Sequence, residues 1–205
     1  AEDAAAQVRK AVPGAAVHAV AADVATAEGC AALTRAAGAV DILVNNAGIF
    51  EPKDFFEIPD ADWLRFYEVN VLSGVRLARA LVPGMLKRNW GRVIFISSES
   101  ALQIPKEMIH YGMTKTAQLA VSRGLAETLA GTGVTVNAIL PGPTRSEGVN
   151  EFIAEYAAGR GVPAEQVEHE FIATERPSSL IKRLATVEEV ASLSVYLASE
   201  QASAT

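Results

Sequence analysis

Residues 92–115 read RVIFISSESALQIPKEMIHYGMTK, and this stretch decides the fold. Its first part, Arg92 to Ser97, is a short apolar run rich in β-branched residues, which is typical of a buried strand. Helical spacing follows, and it predicts a helix that begins around Lys106 to His110 and is stopped by Gly131 and Gly133. A strand followed by a long helix is the unit from which parallel sheets are built.

The alternation of strand and helix extends in both directions from this stretch. Three other apolar segments are predicted as buried strands, namely Ala15 to Ala21, Asp41 to Asn45 and Val134 to Leu140. Each parallel crossover requires a dozen or more residues, and the intervening stretches are long enough to supply them. We therefore predict an α/β fold with a doubly wound parallel sheet covered by helices on both faces.

Two long helices are predicted around the central strand. The first starts near Asp60 and runs to Leu81, with Asn70 as the one polar residue on its inward stripe, and Pro83 and Gly84 should kink or end it. On the second, which carries Tyr111 and Lys115, we expect six apolar side chains to face the core: Met113, Ala117, Ala120, Val121, Leu125 and Leu129.

The stretch from 141 to 177 is richer in proline, glycine and charge than the rest, and it is predicted to form a mobile flap. It contains two short helical patterns, at about 149–158 and 164–173. A last helix should begin after Thr186, which can cap it, and run to Ser199.

Composition and charge restrict the function classes. The chain has 205 residues, 50% of them hydrophobic and 20% charged, with a formal net charge of −6, which suits one globular domain. This acidic balance argues against nucleic-acid binding, because neutralising phosphates requires clustered lysine and arginine. No run of about 18 apolar residues and no basic-then-apolar leader occurs, so neither a membrane partner nor export is expected. The single Cys30 points to a reducing, cytoplasmic setting, and we predict no metal site.

Tyr111 and Lys115 are four residues apart, which places a phenol and an ammonium on one face of a helix about one turn apart. A nearby cation stabilises a phenolate and lowers the tyrosine pKa. Moving that pKa from about 10 to about 7 requires about 4 kcal/mol, which one lysine together with a positively charged ring could supply in a dry pocket. The alternative is a structural tyrosine beside a solvated lysine.

Polar side chains also follow three of the predicted strands where each strand ends. Ser98 follows one strand, the run Asn45-Asn46-Ala47-Gly48 ends another, and Asp23 ends the first. Ligands bind at the carboxyl ends of the strands in open α/β sheets. Taken singly, each group is equally well explained as a turn or capping residue.

Taken together, these features resemble the classical short-chain dehydrogenase/reductase family, and 3-oxoacyl carrier-protein reductases among its members. The residues that carry the resemblance, in order along the chain, are Asp23, the run from Asn45 to Gly48, Asn70, Ser98, Tyr111, Lys115 and Pro141-Gly142. The resemblance covers essentially the whole chain. It implies a Rossmann-type, three-layer α/β/α fold, with a single oxidoreductase domain over 1–205 and a substrate-binding flap over 143–185.

The family pattern also implies roles for individual residues. Ser98, Tyr111 and Lys115 resemble the catalytic triad, and Asn70 resembles the fourth member, which helps to hold a proton-relay water. Tyr111 and Lys115 are implied to contact the cofactor as well. The other implied cofactor-binding residues are Asp23, Val24, Asn45, Ala47, Gly48, Pro141 and Gly142, with Thr144 and Ser146 as rival hydroxyls after the last glycine.

The implied activity is the interconversion of a ketone and a secondary alcohol by hydride transfer with NAD or NADP. In reduction Ser98 would hydrogen-bond the developing oxyanion and Tyr111 would give it a proton, while Lys115 would hold the cofactor ribose. Relatives pair through the helices that carry Asn70 and Lys115, which implies a homodimer or homotetramer. The substrate would be a small carbonyl compound or alcohol, and the sequence does not distinguish an oxoacyl reductase from a sugar dehydrogenase.

The chain departs from the family pattern at its ends. No G-x-x-x-G-x-G or G-x-G-x-x-G precedes Asp23, although the family places a phosphate-binding loop there. We expect that the first βαβ portion, and one more strand after Thr205, lie outside the sequence given. The residues that distinguish NAD from NADP belong to that first portion, so the choice stays open.

Two other readings are possible. A serine hydrolase would use Ser98, but no G-x-S-x-G elbow surrounds it. A catalytically silent nucleotide-binding or interaction module would keep the fold without turnover. Glu99 either faces substrate or is a solvated loop carboxylate, the second being favoured, and His110 points about 100° away from Tyr111 on a helix and is interpreted as structural.

Overall fold

The structure, a computed structural model, describes residues 1–205 and is built around a three-stranded parallel sheet. The strands are β1 (Ile42–Asn45), β2 (Gly91–Ile96) and β3 (Val134–Ile139), in the spatial order β1-β2-β3. The register pairs Val44 with Ile94 and Ile94 with Asn137, so all three strands end at one edge. Three of the four predicted strands and the parallel α/β fold are therefore confirmed.

Eight α-helices connect and cover the strands. They are α1 (Glu2–Ala11), α2 (Ala27–Ala37), α3 (Asp60–Tyr67), α4 (Ser73–Arg88), α5 (Ile109–Thr128), α6 (Glu147–Arg160), α7 (Ala164–Thr174) and α8 (Val187–Ala198). A π-helical turn, Glu68–Leu72, joins α3 to α4 without a break. Short 3-10 turns lie at Phe55–Glu57, Glu99–Ala101, Lys106–Met108 and Glu200–Ala202.

The central strand β2 is buried on both faces, whereas Ile42 and Val44 leave one face of β1 exposed. Val93 and Phe95 on β2 point into the main cluster, where they meet Leu77 and Met85 of α4. The alternate residue Ile94 points to the other face, where it packs with Leu197 of α8. Because successive strand residues face opposite sides, a nearly continuous apolar run is what a strand covered on both faces requires.

The prediction of a strand at Ala15 to Ala21 is wrong. Residues 15–23 have no regular secondary structure, and β1 pairs only with β2. A strand is stabilised by hydrogen bonds to a neighbouring strand, and no strand in this chain lies beside this segment. Its apolar, β-branched composition is therefore not sufficient to make it a strand here.

Pro83 and Gly84 do not end the helix that begins at Asp60. Helix α4 continues through Pro83 to Arg88, although a proline removes one backbone donor. Val82 and Met85 on either side of it are buried in the main cluster, and this packing holds the last turn in helical form. The helix ends instead at Asn89, whose φ of 50° is left-handed, a conformation that asparagine tolerates.

The inward face of α5 also differs from the prediction. Ala120 is exposed, whereas an i, i+4 stripe of polar residues is buried: His110, Thr114, Gln118 and Ser122. Two of these side chains are hydrogen-bonded inside the fold, Thr114 to the Tyr111 carbonyl and Gln118 to the Asn70 carbonyl. Hydrogen bonding within the core compensates the loss of solvation of such groups.

The segment that is predicted to form a flap contains the two helices that the sequence predicts. They are α6 and α7, and they share a small core with Leu184. The predicted cap of the last helix is also confirmed, since Thr186 and Glu189 form a capping box at the start of α8.

One continuous helical stretch, Asp60–Arg88, is long and apolar enough to cross a membrane by length and composition alone. Its α4 part packs against the sheet through Leu77, Val82 and Met85, and a core helix of a globular domain meets the same criterion.

A buried guanidinium ties the end of the chain to the sheet. Arg92 on β2 is 2% exposed and donates hydrogen bonds to the carbonyls of Gly91, Gly133 and Ser199. Its guanidinium also lies 4.6 Å from the centroid of the Trp90 ring. The arginine therefore joins β2 to the start of β3 and to the end of α8.

Replacing this arginine should destabilise the fold. We expect Arg92→Met to lower the free energy of unfolding by about 3 kcal/mol, because buried carbonyl groups lose their donor. Chemical denaturation followed by circular dichroism measures the change. Arg79→Met on the exposed side of α4 is the matched control and should change stability by less than about 0.5 kcal/mol. Equal effects of the two substitutions would contradict the assignment.

Candidate active site

Helix α5 is joined to the end of strand β2 by two reciprocal hydrogen bonds. The Lys115 Nζ donates to the Ile96 carbonyl at 2.9 Å, and the Ser97 hydroxyl donates to the Lys115 carbonyl at 2.9 Å. Lys115 is 5% exposed, and both bonds are shielded from water. They place the face of α5 that carries Tyr111 and Lys115 beside the carboxyl end of the strand.

The structure brings Ser98, Tyr111 and Lys115 together. The Lys115 Nζ lies 5.5 Å from the centroid of the Tyr111 ring. The side chain of Ser98 lies close enough to the phenol to act to lower its pKa, and its Oγ accepts from the Ser100 amide at 3.1 Å. Phe50 closes another side, with its ring centroid 6.4 Å from that of Tyr111 in an edge-to-face arrangement. A hydroxyl, a phenol and an amine thus share one site at the edge of the sheet.

The pKa of Tyr111 moves in the direction opposite to the one expected. Burial raises the pKa of the phenol, and this outweighs the opposing effects of the Ser98 side chain and the Arg176 charge. The pKa of Lys115 is about 8, so its amine is already neutral at the pH where the phenol titrates, and it does not oppose this rise. Within the protein alone, the phenol is therefore held in its protonated form.

Burial also changes Lys115. Loss of solvation lowers the pKa of its amine to about 8, because the charged form is the one that water stabilises most. Its single hydrogen bond in the chain goes to a carbonyl. An ammonium has three donors, so two remain for a ligand.

The π-helical turn positions Asn70. The Asn70 Oδ1 accepts from the Ile49 amide at 2.8 Å, and its Nδ2 donates to the Ile49 carbonyl at 3.0 Å and to Thr114 at 2.9 Å. The backbone carbonyl of Asn70 accepts from Gln118 at 2.6 Å. Asn70 therefore links the loop after β1 to helix α5, one turn from Tyr111.

Gly48 lies beside both Asn70 and Lys115. A Cβ on this glycine would be 3.5 Å from the Asn70 Oδ1 and 3.6 Å from the Lys115 Nζ. Gly48 and Ala47 are both exposed, so they form an open rim over the lysine.

The segment after β3 lies next to Ser98, as parallel pairing requires. The Glu99 amide donates to the Pro141 carbonyl at 2.9 Å, and a Cβ on Gly142 would be 3.8 Å from the Glu99 Oε2. Thr144 donates to the Gly142 carbonyl at 2.9 Å, and Ser146 precedes helix α6. Pro141 and Gly142 are thus at the site, and no contact distinguishes Thr144 from Ser146 as the cofactor hydroxyl.

Three other predicted residues have no hydrogen bond to Ser98, Tyr111 or Lys115. Asp23 is exposed and accepts from the Ala25 amide, and the Val24 carbonyl accepts from Cys30, so both belong to the turn before α2. Asn45 is 6% exposed at the end of β1, and neither atom of its amide has a hydrogen-bond partner. Their predicted cofactor contacts stay predictions.

A cavity of about 420 Å³ lies on the far side of Glu99, the residue after Ser98, and Glu99 and Arg176 form part of its wall. The Arg176 Nε lies 3.3 Å from the Glu99 Oε1, and its Nη2 donates to Glu107 at 3.0 Å. Burial raises the pKa of Glu99, and the Arg176 charge opposes this shift. Glu99 is therefore a partly buried, ion-paired residue rather than the solvated loop carboxylate that was favoured. Sequence reasoning missed Arg176, since nothing in the flap indicates which of its charges turns inward.

His110 has the structural role that was predicted. It is fully buried, with its ring centroid 4.1 Å from that of Phe66 and 5.9 Å from that of Trp63. Neither ring nitrogen has a hydrogen-bond partner. Burial lowers the pKa of the imidazole, so it is held neutral.

Known proteins are similar to this chain in sequence. Residues 1–157 match the family described as short chain dehydrogenase. The chain is 48% identical over 182 residues to the uncharacterized oxidoreductase YvaG of Bacillus subtilis, covering 89% of this chain and 69% of that protein.

Solved structures are also similar. The L-sorbose reductase of Gluconobacter frateurii, crystallised with NADPH and L-sorbose, superposes with a TM-score of 0.90 at 34% identity, over 98% of this chain and 77% of that one. A putative NAD(P)-dependent gluconate 5-dehydrogenase of Beutenbergia cavernae with bound NADP gives a TM-score of 0.84 at 30% identity, over 99% of this chain and 77% of that one.

The buried imidazole should make stability depend on pH. The pKa of His110 is lower in the folded state than its ordinary value of 6.5, so below about pH 6.5 the unfolded chain binds more protons and stability falls. We expect His110→Phe to flatten the loss of unfolding free energy between pH 7 and pH 5, measured by urea denaturation at each pH. His169→Gln, at an exposed histidine, is the control. An unchanged slope in His110→Phe would contradict the assignment.

Proposed function

Because the chain belongs to the short-chain dehydrogenase family and is thus an NAD(P)-dependent oxidoreductase, we propose that it interconverts a ketone and a secondary alcohol at the site formed by Ser98, Tyr111 and Lys115. The observation that carries the proposal is the convergence of these three side chains at the carboxyl end of β2. Ligands of open α/β sheets bind at this edge.

Tyr111 is the proton donor in reduction. Burial keeps its phenol protonated, and the Ser98 side chain lies close to the same hydroxyl. A carbonyl oxygen placed between these two groups receives a hydrogen bond from Ser98 as negative charge develops and then takes the proton of Tyr111. In oxidation the phenolate takes the proton back, and the charge of Lys115 stabilises it.

Several residues fit a nicotinamide cofactor. The Lys115 amine has two unused donors and lies beside Gly48, which has no side chain. The two hydroxyls of a cofactor ribose would fit in the space between the amine and this glycine. Pro141 and Gly142 line the adjacent strand end, and Asn70 positions the loop that carries Gly48. When bound, the nicotinamide supplies or accepts the hydride. The relatives crystallised with NADPH or NADP support this class of cofactor, with the choice between NAD and NADP left open.

We also propose that Asn70 positions a proton-relay water and that residues 143–185 form the substrate-binding flap of a single domain. The protein would act on a small carbonyl compound or alcohol in the cytoplasm. Small exposed residues, Ala80 on α4 and Ala120 on α5, would permit close packing of these helices against a second copy in a homodimer or homotetramer.

Removal of the phenolic hydroxyl tests the proposal directly. We expect Tyr111→Phe to lower kcat by about 100- to 10,000-fold, the range for loss of a general acid, while the Kd for reduced nicotinamide changes little. Turnover is followed by nicotinamide absorbance on a panel of ketones and alcohols, and binding by fluorescence titration. Tyr196→Phe, on an exposed part of α8, is the control. Comparable losses of turnover and binding would make the tyrosine structural, and binding without any turnover in the unmodified protein would identify the silent module.

Lys115 should make kcat/KM for reduction fall at high pH. Since the pKa of Lys115 is about 8, its charge is lost as the pH rises through that value, and kcat/KM for reduction should fall there. Arginine stays protonated, so the residual activity of Lys115→Arg should not show this fall. The same fall in the variant would assign the titration to another group.

A further inference from the structure

The cavity beside Glu99 has an unusually polar wall. Of its 11 lining residues only Ile104 is hydrophobic, and two others are prolines. The rest are polar or charged, with three carboxylates and two cations among them. Sites that bind acyl chains or aliphatic ketones are lined mainly by apolar side chains. A wall of this composition favours a substrate with many polar groups.

Arg176 is a cation in this wall, and two of its five N–H donors form hydrogen bonds within the chain. Its Nη1 donates to the Glu175 carbonyl at 2.7 Å, its Nη2 donates to Glu107 at 3.0 Å, and its Nε faces Glu99 at 3.3 Å. The side chain is 12% exposed and is held between two carboxylates. Its charge is therefore already compensated by two carboxylates before a substrate enters.

The carboxylate of Glu99, by contrast, accepts no hydrogen bond within the chain. Its side chain is 23% exposed. One oxygen, Oε1, faces Arg176, and the other, Oε2, faces Gly142. A carboxylate that has lost most of its water gains from a hydroxyl donor, and charged acceptors form the stronger hydrogen bonds. The residue follows Ser98 directly, so a bound substrate would extend past it.

We propose that this cavity takes a neutral, polyhydroxylated carbonyl compound or its alcohol, a ketose or polyol, and that Glu99 accepts a hydrogen bond from one of its hydroxyls. This inference rests on the proposed function, because it assigns the substrate class of the same site. Glu107 contributes to specificity by pairing with Arg176, so that an anionic substrate meets a wall with three carboxylates and two cations, one of which is already held between two of those carboxylates. An apolar chain would leave the hydroxyl, amide and carboxylate groups of the wall without partners.

The experiment compares ketones matched in size. The purified protein is assayed for kcat/KM with uncharged ketoses of three to six carbons, with the hydroxyl-free ketone of equal carbon number, and with 5-keto-gluconate as the carboxylated counterpart of the six-carbon ketose. We expect the best ketose to exceed each matched partner by at least about tenfold, which corresponds to about 1.4 kcal/mol.

Two variants locate the preference in the named residues. Glu99→Gln should lower the ratio of ketose to hydroxyl-free ketone activity by about tenfold, because a charged acceptor becomes neutral. Glu107→Gln should raise the ratio of 5-keto-gluconate to ketose activity by a similar factor, because the wall then loses one negative charge and Arg176 loses one of its two carboxylate partners. This second change is a gain, which misfolding does not produce. Glu155→Gln, at an exposed and unpaired residue of α6, is the matched control and should change neither ratio.

The outcomes separate this inference from the proposed function. A preference for hydroxyl-free or carboxylated ketones, or ratios that do not change in Glu99→Gln and Glu107→Gln, would overturn the substrate class and leave the dehydrogenase activity in place. A protein that binds reduced nicotinamide but reduces none of these ketones would overturn both.

Discussion

The reciprocal hydrogen bonds between Lys115 and the end of β2 are the constraint on which the site depends. They use both the amine and the carbonyl of one residue to fix a helix to a strand end. Because the contact is buried, neither bond competes with water. The orientation of α5 then determines where the phenol of Tyr111 lies, and parallel pairing of β2 with β3 places Pro141 beside Ser98. Fold and chemistry are thus joined at a single residue.

The spacing of apolar residues predicted those strands and helices that are stabilised by apolar packing. The three strands of the sheet and the flap helices α6 and α7 were predicted in this way. The same pattern failed at residues 15–23, where composition suits a strand but no partner supplies the hydrogen bonds. It also failed on α5, since a stripe of buried polar side chains has the helical period and carries no hydrophobic signal. Searching for polar residues at i, i+4 would have found that stripe.

The positions of the site residues could be predicted from the sequence, but the direction of their pKa shifts could not. Ser98, Tyr111 and Lys115 lie together as the spacing and the family resemblance indicated. The direction of the Tyr111 pKa could not be obtained that way, because it depends on how far burial exceeds the effect of neighbouring charges. Arg176 was missed for a related reason. Its partners Glu99 and Glu107 are about 70 residues away in sequence, and only the folded flap brings the three charges together.

The π-helical turn at Glu68–Leu72 has a consequence for how this chain tolerates insertions and deletions. Such a turn contains one residue more than a regular α-helix would place there. Removing one residue from it would restore ordinary helical geometry and keep α4 in phase with α3, so Gly74, which has no room for a side chain, would stay against Phe95. The effect would fall on Asn70, which lies in the turn and contacts Ile49 and Thr114 through its side chain. A deletion in this turn is therefore expected to preserve the packing of α4 and to disturb the side-chain contacts of Asn70.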